Sequence, residues 1–496
     1  MTAVKRFFSE SSTVGKLMML IGIILLIPLL VLPFYPDEAH LYWAFLLPGG
    51  ISFCLGLLLC FVHKNRESDP SQWRYLMQRS SLIVLFAWCW GAVAGAIPFV
   101  LSCNMTVVQS LFESISGWTT TGLSVMDVSQ TAHIFLFFRS FMQYCGGVGF
   151  VMVMVMMVQE KFSMNLYSAE GHPDKVLPNL KKTAQAICVL YVGLLAAGTI
   201  AYIIAGMNVF DAINHCMCAL STGGFSTKLN SIGEYNNLAI EIITIVLMLI
   251  GTTNFAVLIL LFRGKIRQFL KVSEVRFMGL ILIVLIPCLA FTLMGGMGMG
   301  VGEAFRHASF DLSSALSTTG YSTMGYGEWP PLAIGIMILV MLIGGGLGST
   351  AGGLKMSRVY IMLRMAIDNI RRRVSPAREV RNIYYTRAQG KTQIDQKLLN
   401  DTAGFVVVYL SIFLLGGFLV TLTAGCGLTE GMFEFASALG TVGLSIGITG
   451  TTTGNATLIV EMIGMLLGRL EIFIVFIGMF SGFTLIKSRI FRRKRP

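Results

Sequence analysis

Charge is what this sequence has least of: Asp, Glu, Lys and Arg make up 12% of its 496 residues, about half the share of an ordinary soluble domain. So few charges cannot cover a water-facing surface of that size, which excludes a soluble globular protein. Metal-site spacing is missing as well. The ten cysteines lie scattered in apolar runs, without CxxC pairs or His partners, and read as packing residues. Cys216 and Cys218 are the one close pair, and side chains at i, i+2 of a helix do not face each other. There is also no DDxxD pair, no GxxxxGK[ST] phosphate loop and no nucleophile triad, so no enzyme and no intrinsic cofactor are expected.

What the chain has instead is hydrocarbon, at 55% hydrophobic residues and a mean hydropathy of +0.73. Runs long enough to cross a core about 30 Å thick occur at 16–35, 41–63, 80–102, 131–158, 183–206, 237–262, 276–297, 331–343 continuing to 373, 402–426 and 455–486. Ten spanning helices are therefore expected, in an all-α integral membrane fold. The first run is too long for a cleaved signal and is followed at once by a second span. Lys and Arg concentrate at the N-terminus, in 63–79, 159–182, 263–276 and 355–397, and in the tail, which together hold 33 of the 37. By the positive-inside rule these segments, and both termini, are cytoplasmic. The net charge of +12 thus reflects topology and inner-leaflet lipid rather than nucleic acid. Acids with few bases face outward, which predicts a negative vestibule that concentrates cations. Arg139, near the outer start of its helix, is expected to snorkel to the interface.

Four hexamers repeat one pattern: Thr119 to Ser124 (TTTGLS), Ser221 to Ser226 (STGGFS), Ser317 to Ser322 (STTGYS) and Gly440 to Ser445 (GTVGLS). Each follows a segment too short to span, at 107–118, 208–220, 303–316 and 430–439, and each precedes a full span. Phe112-Glu113, Phe310-Asp311 and Phe433-Glu434 begin ten residues before their glycines, where the second repeat has Asn214-His215. Further glycines, Gly146, Gly251, Gly345 and Gly468, follow at 24, 27, 25 and 25 residues. Irregular backbone at membrane depth leaves unpaired polar groups unless it lines water or ions. Four such loops in one chain predict a fourfold pseudo-symmetric pore that rings a cation with backbone carbonyls. The half-helices would turn their partly negative C-terminal ends toward the ion. The candidate filter residues are Thr120, Thr121 and Gly122; Thr222, Gly223 and Gly224; Thr318, Thr319 and Gly320; and Thr441, Val442 and Gly443.

This arrangement resembles the superfamily of bacterial Trk and Ktr potassium transporters and plant and fungal HKT and Trk proteins. Two extra N-terminal spans resemble its TrkH/TrkG branch, and the likeness covers essentially the whole chain. It implies that the four loops form a potassium filter, with K⁺ the bound substrate ion. It also implies that glycine at 122 favours K⁺ over Na⁺; Gly223 and Val442 depart from the pattern without removing a carbonyl. The implied layout is an N-terminal extension at 1–78, pore units at 79–160, 161–263 and 264–373, a basic cytoplasmic linker at 374–399, and a fourth unit with basic tail at 400–496. The implied setting is the bacterial inner membrane. The implied partners are the lipid bilayer, a second copy in a homodimer, and a cytosolic nucleotide-binding ring protein of TrkA type that docks on 355–397 and Arg492 to Arg495. Uptake through a gated pore is driven by membrane potential, about 2.3 kcal/mol per charge per 100 mV. The alternatives are the K⁺-binding subunit of a P-type pump, or a proton- or Na⁺-coupled symporter.

Two gate candidates follow. The eighth span breaks into Gly344, Gly345, Gly346, Leu347, Gly348, Ser349, Thr350, Ala351, Gly352 and Gly353, and each of its six glycines costs a helix about 1 kcal/mol relative to Ala. Helix packing through small residues competes with a flexible occluding loop as the reading; the resemblance implies the loop. Arg469 is the second, a base inside the last apolar run, where charge is costly unless functional. A structural ion pair competes there, although Glu471, two residues on, points away from it.

Overall fold

The computed structural model describes residues 12–62, 73–148, 180–374 and 382–481, and most of the regular structure among them is helix. An N-terminal pair, α1 (Thr13–Leu26) and α2 (Tyr42–Val62), packs against the first of four units. Unit one is α3 (Trp73–Ser102), the short α4 (Val107–Trp118) and α5 (His133–Val148). Unit two is α6 (Leu180–Ile204), α7 (Val209–Leu220), α8 (Leu238–Thr252) and α9 (Phe255–Phe262). Unit three is α10 (Ser273–Met297), α11 (Val301–Ser317), α12 (Pro331–Ile343) and α13 (Met356–Val374). Unit four is α14 (Gln396–Ala424), α15 (Leu428–Gly440), α16 (Asn455–Arg469) and α17 (Ile472–Ser481).

Six helices among the described residues are long and apolar enough to cross a membrane, or eight if each of two bent pairs is one span. The bends correct the expectation of continuous helices over 237–262 and 455–486. The α8–α9 pair turns by 117° and α16–α17 by 101°. At the first, Asn254 stops one helix and caps the next, its side chain accepting from the Ala256 N–H at 2.7 Å. At the second, Glu471 takes a left-handed backbone with φ 55°, which no helix continues through. The expected run 331–373 is likewise divided, because residues 344–355 leave the helix between α12 and α13. Residues 149–158 of the expected span 131–158 lie outside the described residues.

The all-α expectation is corrected in one place. Tyr384–Arg387 (β1) and Gly390–Gln393 (β2) pair antiparallel within the segment read as a basic linker. The hairpin docks on unit three: the Thr386 N–H donates to Ser273 Oγ at 2.9 Å, and Tyr385 packs with Ile361 and Leu399.

The half-helices have local causes. Thr106 caps α4 reciprocally with Gln109, each accepting from the other's N–H at 3.2 and 3.0 Å. Asn208 caps α7 through the Asp211 N–H at 2.8 Å. In unit four the Gly427 N–H donates to Glu430 at 2.8 Å. All four then end in the same way, which builds the site.

Candidate functional site

Each half-helix closes with one pattern of backbone bonds. Thr121 N–H reaches Ser116 O (2.9 Å), Gly223 reaches Cys218 (2.8 Å), Thr319 reaches Ser314 (3.0 Å) and Val442 reaches Ser437 (2.8 Å). These six-to-one bonds are Schellman closures, which need a left-handed residue and usually take Gly there. Here the position is Thr120, Thr222, Thr318 and Thr441, with φ of 56°, 53°, 57° and 50°. A β-branched residue in that region is strained by about 1–3 kcal/mol, and such strain collects at functional sites. The Thr two places before each glycine is therefore a structural signature as well as a sequence one.

Two residues later Gly122, Gly224, Gly320 and Gly443 again have positive φ, from 73° to 95°. Their neighbours close the four loops into a ring. A Cβ on Gly122 would strike the Gly223 carbonyl oxygen, one on Gly224 that of Thr319, one on Gly320 that of Val442, and one on Gly443 that of Thr121. The loops thus touch in the order one, two, three, four, one. Both φ and contact demand glycine. An outer cavity of about 560 Å³ opens above, lined by these four glycines and by Ser124, Ser226, Ser322 and Ser445.

The residue nine places before each glycine holds the outgoing strand of its own loop. Glu113 accepts from Ser124 Oγ (3.0 Å) and the Val125 N–H (3.1 Å). Asp311 accepts from the Thr323 hydroxyl (2.7 Å) and N–H (3.2 Å) and from the Tyr326 hydroxyl (2.8 Å). Glu434 accepts from the Ser445 hydroxyl and from the N–H groups of Ile448 (3.1 Å) and Thr449 (3.2 Å). In unit two His215 takes the same role: Nδ1 lies 2.8 Å from the Asp211 carbonyl and so donates, leaving Nε2 to accept from Ser226 at 2.9 Å. The apparent exception in the repeat is a chemical equivalent.

Two sequence expectations fail here. Arg139 does not snorkel; it is 2% exposed, paired with Glu113 at 2.5 Å and stacked 4.0 Å over the Phe225 ring. The outer cavity is not lined by acids: its charged lining residues are Arg139 and Lys228, while the carboxylates of the half-helices sit one layer behind, holding the loops. Sequence reading also missed Gln143. Its amide donates to Gly223 O at 2.6 Å and accepts from the Phe225 N–H at 3.1 Å, and a Cβ on Gly223 would strike it, which accounts for the Gly-Gly pair of loop two.

Below the ring lies the glycine-rich stretch, packed rather than loose. Thr350 is fully buried, its hydroxyl within reach of the carbonyls of Leu220 (3.1 Å) and Gly251 (2.8 Å) while accepting from Thr222 (3.1 Å). The Gly352 N–H donates to the Thr318 hydroxyl at 2.8 Å, and a Cβ there would strike Thr441 Oγ1. Gly346 N–H reaches Thr252 O at 3.0 Å, Ser349 Oγ reaches Gly346 O at 2.7 Å, and Met356 N–H returns to Gly345 O at 2.8 Å. Three of the left-handed threonines, Thr222, Thr318 and Thr441, thus lie against 350–352.

Arg469 ties this stretch in place. It ends α16 at the bend, instead of sitting in mid-helix, and donates to Thr350 O (2.5 Å) from one nitrogen and to Gly146 O (2.5 Å) from another. The guanidinium therefore bridges units one, three and four through carbonyls. Glu471 lies beyond the helix break, so the same-helix spacing argument does not apply to it; it pairs with Arg358 of α13 at 2.7 Å. Gly146, Gly251 and Gly468 each press on a half-helix carbonyl, those of Trp118, Leu220 and Leu439, whereas Gly345 meets Thr252 and Ala351.

A ring of four glycine loops, each at the C-terminal end of a half-helix, with an open cavity above and a packed glycine-rich segment beneath, defines a pore-loop membrane transport protein. The chain belongs to the TrkH family, described as cation transport proteins, which residues 51–481 match. It is similar to the Trk system potassium uptake protein TrkG of Escherichia coli strain K12, 30% identical over 95% of this chain and 96% of that one. The Trk system potassium uptake protein TrkH of Vibrio parahaemolyticus is 29% identical over 95% and 98%. The crystal structure of the potassium transporter TrkH from Vibrio parahaemolyticus aligns with TM-score 0.81 and 27% identity, covering 96% and 98% of the two chains.

Proposed function

We propose that this protein is a potassium uptake pore of the bacterial cytoplasmic membrane, selecting K⁺ at the loop ring and gated by residues 344–353 with Arg469. The observation that carries the reading is the closed contact order of the four loops, which brings four equivalent carbonyl-bearing turns to one axis. The names of the relatives support potassium as the ion. Thr120, Thr222, Thr318 and Thr441, with the residues that follow each up to its glycine, offer backbone oxygens in place of water. Ten spans result when the bent pairs α8–α9 and α16–α17, the pair α12–α13, and α5 each count as one, with both termini cytoplasmic. In this reading Thr350 and Arg469, packed under the ring, close the pore in its occluded state. Flux runs down the membrane potential, and the layout of extension, four units and linker follows the repeat. A homodimer and a nucleotide-binding ring protein docked on the basic insert complete the system.

The test is ⁸⁶Rb⁺ uptake into K⁺-starved cells lacking their own uptake systems, with Na⁺ as competitor. Uptake that Na⁺ does not displace is expected, and Gly122→Ser is expected to raise Na⁺ permeation relative to K⁺. An unchanged permeability ratio removes loop one from the filter. Flux through the purified chain in liposomes without an ATPase rejects the pump reading, and reversal at the K⁺ equilibrium potential under imposed pH and Na⁺ gradients rejects the symporter.

A further inference from the structure

Among the described residues, unit four alone carries two carboxylates at zero exposure, Glu434 on α15 and Glu461 on α16. Thr449 joins them: its N–H donates to Glu434 Oε1 at 3.2 Å and its hydroxyl to Glu461 Oε1 at 2.9 Å. The remaining oxygens, Glu434 Oε2 and Glu461 Oε2, are buried without a hydrogen-bond partner. Among the described residues neither carboxylate has an ion pair, whereas Glu113, at the matching position of unit one, has Arg139. Asp311 of unit three also lacks a cation, but both its oxygens accept hydrogen bonds.

Two unpaired charges this buried and bridged by one threonine do not coexist; one carboxyl takes up a proton. We propose that Glu434 and Glu461 bind one proton between them, forming a proton site directly behind the fourth loop. A single proton turns one orphaned oxygen into a donor and reduces two charges to one. The path to water is short, because Ser445, which donates to Glu434, lines the outer cavity.

Among the described residues the surroundings offer no cation to the pair, and Tyr326, which packs on Phe433, is engaged with Asp311. On α14 the titratable residues are Lys397 and Asp401 in its first two turns and Tyr409. On α4 Glu113 is engaged by Arg139, and neither α12 nor the loop 441–454 has a titratable side chain. On the elements of the pair itself, Glu430 caps Gly427 at the outer end of α15 beside Cys426, and Arg469 lies two turns down α16, engaged with the gate. Since Glu434 holds Ser445, Ile448 and Thr449, loss of the proton would put a second charge where loop four is anchored and loosen the ring. Potassium uptake should then fall as external pH rises.

The proton site does not depend on the transport reading, while its effect on flux does, so the first measurement is spectroscopic. Infrared difference spectra of the full chain in lipid nanodiscs, taken across pH in H₂O and D₂O, should contain a protonated-carboxyl C=O band at neutral pH. Glu461→Gln and Glu434→Gln should each remove it. Absence of the band, or its survival in both variants, overturns the proposal, as does a band abolished by K⁺ or Na⁺ at constant pH, which would assign the pair to a metal cation. If Glu434→Gln fails to assemble, Glu461→Gln, which gives up only the Thr449 contact, carries the test. In cells, wild-type ⁸⁶Rb⁺ uptake should fall with the proton-bound fraction, about tenfold per pH unit above its titration, and Glu461→Gln should flatten that dependence. A band that behaves as stated beside pH-independent uptake retains the proton site and rejects its link to flux.

Discussion

Above the ring the four units do nearly the same thing; beneath it they do not. On the outer side each loop has a left-handed Thr, a glycine against the next loop's carbonyl, and a half-helix residue bonded to the outgoing strand. On the inner side, among the described residues, unit three supplies the long irregular segment 344–355, and its landmark Gly345 has left the position that Gly146, Gly251 and Gly468 keep. The difference follows from what each side must do. On the proposed reading an ion on the axis meets all four loops at once, so unequal loops would stabilise it unevenly, whereas one segment is enough to fill the space below. Symmetry persists where four contributions add and is lost where one suffices.

The anchoring layer gives the largest way to break this comparison. Glu113→Gln leaves Arg139 buried without its charge partner, a change expected to destabilise the chain by about 3–5 kcal/mol. Asp311→Asn, in the equivalent place but with no ion partner among the described residues, should do much less harm. Thermal unfolding of both variants in nanodiscs checks this; equal and small shifts would mean that the pair adds nothing in unit one. On the inner side, Arg469→Ala removes charge-assisted bonds to Thr350 and Gly146 worth about 1.5–3 kcal/mol each. Basal ⁸⁶Rb⁺ flux is expected to rise tenfold or more, with K⁺ over Na⁺ preference retained because the ring is untouched. A rise in flux that also abolishes selectivity would show that ring and plug are one unit.

The ring was legible in the sequence because it repeats. Four copies set the half-helix positions within two residues, and Thr two places before Gly marks the strained turn. His215 was visible as a departure but not as an equivalent, since its role appears only when Ser226 is seen opposite Nε2. The two bends were hidden by apolar residues continuing on both sides, although Thr252-Thr253-Asn254 and Arg469-Leu470-Glu471 are polar interruptions that a stricter reading would have taken as breaks. Arg139 was misread because its partner is 26 residues away on another helix, a distance that helical spacing cannot address. The hairpin at 384–393 escaped because a charge run masks a short alternating strand pattern.

The finest probe of the proposed gate is Thr350→Val. Valine keeps the shape of threonine and removes the hydroxyl, which donates toward Leu220 and Gly251 and accepts from Thr222. A single hydroxyl proton satisfies one carbonyl at a time, Gly251 O keeps the Thr350 N–H at 3.3 Å, and the Thr222 hydroxyl keeps the Ser221 carbonyl at 2.7 Å. The net loss is therefore one neutral hydrogen bond, about 0.5–1.5 kcal/mol, or a few-fold to roughly tenfold in the equilibrium between occluded and open. Basal ⁸⁶Rb⁺ flux should rise by that factor and stay below that of Arg469→Ala. The order of the two variants carries the information. If Thr350→Val leaks more than Arg469→Ala, the segment is held chiefly by the threonines of the ring, and the boundary between a fourfold outer layer and a single-unit inner one has to be drawn below residue 350.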